Sequence, residues 1–196
     1  MMLARSRVVT VMLVASAVLG ASLGAGVTSA SPANPAKFRW LVPAPAPSGW
    51  KHLRLPSGGA TLAYPPSLAP ISGDRGSVSV EKKDSSGRVL VYLNATPKQG
   101  AETLTNWPAF RMAHNRAEDK TVQEDARAVG LPFFGGVGSC VIDHYITKFH
   151  ANHYREIACF VQGRTTASVI VAAALESDWP QAAPVLERAV SVYRPA

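Results

Sequence analysis

The residues of this sequence that could do chemistry are concentrated between positions 139 and 162. The only two cysteines of the chain, Cys140 and Cys159, lie in that segment. An even pair of cysteines in a chain with an export signal predicts a disulfide, because the compartment outside the cytoplasm is oxidising. Two cysteines alone do not make a zinc site, which needs further ligands at a suitable spacing. We therefore predict one disulfide, Cys140–Cys159, joining two neighbouring strands.

Two carboxylates lie opposite each other in the hairpin that this disulfide implies. Pairing Cys140 with Cys159 places Asp143 opposite Glu156, and like charges at opposed positions are unfavourable. A bulge or a nearby arginine is expected to relieve them. Close carboxylates can raise each other's pKa, and glycoside hydrolysis uses two of them at set separations. Such a reaction also needs a deep groove, for which a small sheet domain offers little room.

Three histidines, His144, His150 and His153, lie around the same hairpin. Three imidazoles could ligate a divalent metal such as zinc or copper. In the register given above, however, His144 faces Arg155, which is an unfavourable neighbour for a metal cation. We predict solvated histidines, no metal site, no cofactor and no catalytic residue. A small secreted hydrolase that uses the acids and histidines of the 139–162 hairpin is the alternative interpretation.

Two adjacent aromatic residues, Phe133 and Phe134, precede the glycine-rich stretch 135–138, and the pattern predicts a flexible loop there. Two neighbouring side chains cannot both point into a sheet core. One ring is therefore expected to face solvent or a shallow pocket, which makes Phe133 and Phe134 the predicted contact for a partner or an apolar ligand. The alternative is that both rings fold under the loop against a helix.

The N-terminus has the pattern of a secretory signal peptide. Arg5 and Arg7 precede an apolar run at 8–19, and small residues follow as far as Ala30. We predict a signal peptide at 1–30, cleaved after Ala30, and a mature protein that is secreted or held in the cell envelope with no membrane span. An uncleaved anchor is the alternative, but the last third of the uncharged stretch is Gly, Ser and Thr rather than strongly apolar.

Composition limits the mature chain to one domain of modest positive charge. Removal of residues 1–30 takes two of the 20 basic residues and none of the 13 acids, which leaves 166 residues and a net charge of +5. Such a charge favours loose attraction to anionic surfaces. Only Lys82 and Lys83 are adjacent among the basic residues, so no basic stripe predicts nucleic-acid binding.

The mature chain divides into a linker and a folded unit. Residues 31–48 are rich in Pro and Ala and predict an extended linker, although Phe38, Trp40 and Leu41 within it could also dock on the domain. Residues 49–196 are predicted to form a single α+β domain. Alternating apolar and polar residues predict its strands at 50–55, 60–64, 77–82, 88–95, 139–147, 154–162 and 165–175.

Two helices are predicted to cover one antiparallel sheet. The first, at about 105–119, has Leu104, Trp107, Phe110, Arg111 and His114 at helical spacing. The second closes the domain. Each begins with a capping residue followed by Trp-Pro, and proline is tolerated in the first turn of a helix. The predicted fold class is therefore an antiparallel sheet with covering helices and one disulfide.

The order of elements between Trp50 and Tyr193 carries a family resemblance. An opening hairpin that reads Trp50…Ala60-Thr-Leu-Ala-Tyr64-Pro65 is followed by a second hairpin, a helix, a three-strand meander and a C-terminal helix. In this order the domain resembles the Mog1/PsbP-like superfamily, which includes small secreted proteins of high-GC Gram-positive bacteria. The resemblance implies an α/β/α sandwich and a non-catalytic binding module, whose partner we expect to be a protein or an envelope component.

Overall fold

Most of the segments in which apolar and polar residues alternate form strands of antiparallel sheets. The computed structural model describes residues 33–196, so the predicted signal peptide and its cleavage site after Ala30 lie outside the described residues. The strands are β1 (Lys51–Arg54), β2 (Ala60–Tyr64), β3 (Ala69–Ile71), β4 (Val78–Lys83), β5 (Val89–Pro97), β6 (Thr121–Phe133), β7 (Gly136–Ile146), β8 (His153–Gln162), β9 (Ala167–Leu175) and β10 (Arg194–Pro195). The helices are α1 (Trp107–Glu118) and α2 (Trp179–Ser191).

The strands form two sheets rather than the single sheet that the sequence predicted. Seven strands follow the order β3-β4-β5-β9-β8-β7-β6, and three follow β1-β2-β10. The small sheet arises because the chain leaving α2 pairs Arg194 and Pro195 with Thr61 and Ala60 of β2. The opening hairpin is thereby held on the same side of the large sheet as α2.

The large sheet is covered on both faces. On one face α1 packs over β6, β7 and β8, with Trp107 and Met112 against Val141 and Phe160. On the other face α2 and the small sheet enclose the main core, which contains Leu186 and the two cysteines. The domain is thus an α+β fold with both helices covering the large sheet, in agreement with the predicted class. Neither helix of residues 33–196 has the length and apolarity to cross a membrane.

The largest difference from the sequence prediction is strand β6. Thirteen residues, Thr121–Phe133, form one edge of the large sheet, where no strand was predicted. Of the predicted flexible loop at 135–138, residues 136–138 belong instead to β7, which begins at Gly136, and Gly135 lies in the turn before it. Glycine is required at Gly138 because a Cβ there would collide with the ring of Phe133, which lies across the strand.

The described part of the predicted linker, residues 33–48, lies against the domain. Phe38 and Leu41 are buried in the main core. The amide of Asn34 donates to the carbonyl of Arg127 at 2.9 Å, and the Ser191 hydroxyl donates to the carbonyl of Trp40 at 3.3 Å. The folded unit therefore begins well before Trp50, because the apolar side chains of this Pro-rich segment find a place in the core.

Candidate functional site

The disulfide hairpin has the predicted register. Cys140 is bonded to Cys159, directly across β7 and β8, with their Cα atoms 4.1 Å apart. The same register pairs Asp143 with Glu156. These two acids lie on the α1 face of the sheet, because side chains alternate along a strand and the cysteines face the main core. Both carboxylates are fully covered, with exposed fractions of 0% and 1%.

Helix α1 supplies the arginine that the acid pair requires. Nε and Nη2 of Arg111 donate to the two carboxylate oxygens of Glu156, each at 2.7 Å. One turn later, the amide of Asn115 donates weakly to Asp143 at 3.3 and 3.4 Å. One turn earlier, the indole of Trp107 donates to the carbonyl of Ala158 at 3.0 Å and fixes the helix on the sheet. The spacing of four residues aims all three side chains at β7 and β8.

Burial and charge shift the titration of this cluster. Burial, and then the charge of Glu156, raise the pKa of Asp143 to about 8. Burial alone would lower the pKa of Arg111, but the attraction of Glu156 outweighs it and the pKa is raised. Burial also raises the pKa of Tyr145 well above its usual value. The result is a buried network in which Arg111 is ion-paired with Glu156 and Asp143, because of its raised pKa, favours its protonated form at neutral pH.

This arrangement does not favour a hydrolase. A general acid or a nucleophile must reach substrate, whereas both oxygens of Glu156 are occupied by Arg111 and Asp143 is covered by α1. Three surface clefts of about 480, 330 and 250 Å³ indent the described part of the chain, and none of the three is lined by either acid. The acid pair is best explained as part of the packing of α1.

The histidines do not converge. His144 faces Arg155, as predicted, and its Nδ1 lies 3.0 Å from a carboxylate oxygen of Asp125, whose other oxygen accepts from Arg155 at 2.9 Å. His150 and His153 are exposed at the far end of the hairpin. Within residues 33–196, no three metal-ligating side chains come together.

The structure separates the two predicted contact residues, Phe133 and Phe134. Phe133 ends β6 and is 5% exposed in the main core, whereas Phe134 lies in the turn to β7 and is 43% exposed. The guanidinium carbon of Arg194 lies 4.2 Å from the centre of the Phe134 ring, a cation–π contact. The turn is completed by Gly135 at φ 80°, a conformation that favours glycine.

Arg194 extends this contact onto the outer face of the small sheet. Thr61 of β2 is paired on one side with Arg54 of β1 and on the other with Arg194 of β10. We call Arg54, Thr61, Arg194 and Phe134 the arginine row. Sequence reasoning missed the two arginines because residues so far apart in the chain become neighbours only through the pairing of the chain end with β2.

Two solved bacterial structures have a fold similar to that of this chain. Over 77% of this chain and 95% of its own, cyanobacterial PsbP (CyanoP) from Synechocystis matches with a TM-score of 0.54 at 13% identity. PA94 of Pseudomonas aeruginosa, a protein of unknown function, matches over 76% of this chain and 99% of its own, with a TM-score of 0.50 at 12% identity. The predicted resemblance to the Mog1/PsbP-like proteins is therefore confirmed for the fold.

The remaining comparisons support no statement about the function of this chain. LpqN of Mycobacterium tuberculosis, described as involved in cell envelope biogenesis, matches over 74% of this chain and 91% of its own at 10% identity. Its TM-score of 0.47 is too low to support an inference. No protein-family model and no curated protein matches the sequence.

Proposed function

We propose that the protein is an exported, non-catalytic binding module that contacts a protein or an envelope component through Phe134 and the arginine beside it. The observation that carries this proposal is the half-exposed ring of Phe134, stacked at 4.2 Å with the guanidinium of Arg194. Aromatic residues and arginine are enriched at protein interfaces, because they offer a large apolar area together with directed hydrogen bonds. The buried position of Phe133 anchors the turn that presents Phe134.

Two features of the chain support export. Residues 1–30 carry the basic, apolar and small-residue pattern of a signal peptide, with cleavage proposed after Ala30. Cys140 and Cys159 are joined in a disulfide, a bond that persists in oxidising compartments. We accordingly assign the mature protein to the extracellular space or the cell envelope.

A site-specific photocrosslink tests the contact surface in the cells that make the protein. A photoreactive phenylalanine analogue replaces Phe134 in the full chain and, as a matched control, Phe149. Phe149 is 80% exposed and follows the opposite end of β7, so a photocrosslink there reports on chance encounters. We expect one discrete adduct from position 134 that is absent from position 149. The proposal fails if position 134 gives no adduct, or if both positions give the same products.

A further inference from the structure

The arginine row has the chemistry of a site for acidic groups. Resting on the proposed contact at Phe134, we propose that Arg54 and Arg194 bind carboxylates of an acidic segment in a partner protein. The occupant is thus a polypeptide whose Asp or Glu side chains meet two guanidinium groups beside an aromatic ring.

Strand pairing places the two arginines side by side. Arg54 and Arg194 are both opposite Thr61, so all three side chains project from the same face of the small sheet. Neighbouring strands are about 4.8 Å apart, which puts the two arginine Cα atoms about 10 Å apart across β2. That face is the outer one, because Ala60 and Leu62 on either side of Thr61 are buried in the main core.

The positive charge of the row is uncompensated. Neither Arg54 nor Arg194 forms an ion pair within residues 33–196, whereas other arginines, such as Arg88 and Arg111, are paired with carboxylates. The guanidinium of Arg54 contacts the carbonyl of Gly58 at 3.4 Å, a weak interaction that leaves most of its donors free. An anionic partner could therefore form ion pairs with both guanidinium groups without displacing an existing ion pair.

Two features favour carboxylates of a protein over the phosphates of a membrane. Both cations of the row are arginines, and arginine is enriched at protein interfaces while lysine is depleted. In addition, Arg194 lies over the ring of Phe134, so that this ring is held against the protein rather than left free to enter a bilayer.

Binding of a short glutamate-rich peptide to the full mature chain tests the proposal. The control peptide carries glutamine at each glutamate, so it differs in charge but hardly in shape. The variant Arg54→Gln/Arg194→Gln removes both positive charges of the arginine row. The control variant Arg116→Gln/Lys120→Gln removes the same net charge from exposed positions at and just after the end of α1. Isothermal titration at low and moderate salt gives the dissociation constants.

We expect the glutamate peptide to bind and the glutamine peptide not to bind. Loss of the two arginines should weaken binding at least about tenfold, because charge-assisted hydrogen bonds are the strong ones, and the control variant should lose no more than about twofold through its net charge. Equal weakening in both variants, or no weakening in either, would overturn the proposal. So would tighter binding of inorganic polyphosphate or of phosphatidylglycerol vesicles than of the peptide.

The two proposals fail in different ways. If the crosslink at position 134 forms equally well in the Arg54→Gln/Arg194→Gln background, the contact surface stands and the acidic nature of its partner is refuted. If no crosslink forms at position 134 in the unaltered chain, the contact surface is refuted, whatever the peptide binds.

Discussion

The two faces of the β7–β8 hairpin are both buried but are held by different kinds of interaction. On the face toward α2, Cys140 and Cys159 form a covalent bond inside an apolar core. On the face toward α1, Asp143 and Glu156 are buried side by side and depend on Arg111 from the helix. We call these the covalent face and the ionic face.

This difference determines how much stability the protein should lose when the interaction on each face is removed. The disulfide of the covalent face stabilises the protein mainly by restricting the unfolded chain. Its contribution therefore does not depend on a charge or hydrogen bond from a neighbouring side chain. Burial of the carboxylates on the ionic face has a large desolvation cost, which is offset only while Arg111 is present. Removal of Arg111 from the ionic face should therefore cost more than removal of the disulfide, although the disulfide is the stronger bond.

The largest effect is expected from Arg111→Met. This change leaves Glu156 buried without a counter-charge, and breaking a buried pair from one side costs about 3–5 kcal/mol. The Arg111 side chain is only 17% exposed and that of Glu156 only 1%, so water can compensate little, and we expect a loss of about 4 kcal/mol in the free energy of unfolding. Urea unfolding at neutral pH measures it.

Arg116→Met on the same helix is the matched control. Arg116 is exposed and should change the free energy of unfolding by no more than about 0.5 kcal/mol. If the two variants are equally stable, the ionic face carries no special cost and the contrast between the two faces is lost.

The next effect is removal of the disulfide in Cys140→Ala/Cys159→Ala. The bridged residues are 19 apart, and the entropy of closing a loop of that length corresponds to about 3 kcal/mol. We expect this loss in the free energy of unfolding, and a reducing agent should lower the stability of the unaltered protein to the same level. A reducing agent that leaves the unaltered protein unchanged would show that the bond contributes nothing.

A smaller effect of opposite sign is expected from Asp143→Asn. The pKa of Asp143 is raised from 3.8 to about 8 in the folded state, by burial and then by Glu156, so the folded chain holds this proton more tightly than the unfolded chain. The free energy of unfolding therefore falls as the pH rises through that interval. The variant should reduce this slope and be more stable above pH 8, by about 1 kcal/mol.

Unfolding at a series of pH values checks this expectation. Asp74→Asn, at an exposed position in the β3–β4 loop, should keep the pH profile of the unaltered protein. A profile of Asp143→Asn that also overlays the unaltered one would mean that Asp143 is ionised throughout, and that Arg111 neutralises both acids.

The covalent face could be predicted from the sequence, and much of the ionic face could be as well. One assumption, that Cys140 pairs with Cys159, fixed the register and with it the meeting of Asp143 and Glu156, as well as the need for an arginine. The helix face was predicted about one residue out of place. Phe110 and His114 were expected with Arg111 but are exposed, whereas Met112 and Asn115 are buried.

Other parts of the fold could not be predicted because their signals are interrupted or distant. Strand β6 has two irregularities in its pairing, between Glu124 and Ala126 and between Val129 and Leu131. Each one shifts the alternation of inward and outward residues, so the sequence of the strand shows no continuous period of two. The arginine row depends on the pairing of Arg194 with β2, which leaves no local pattern at all.

The smallest effect on stability is expected from Phe134→Ala. Phe134 lies in the turn between β6 and β7 and belongs to neither buried face of the hairpin. The exposed ring contributes its cation–π contact with Arg194, worth about 0.5–1 kcal/mol at a surface. We expect a loss no larger than this in urea unfolding, together with loss of partner binding. Because the two buried faces would be intact, loss of binding in this variant could be assigned to the surface itself. A loss of stability as large as that of the disulfide variant would instead make Phe134 part of the core.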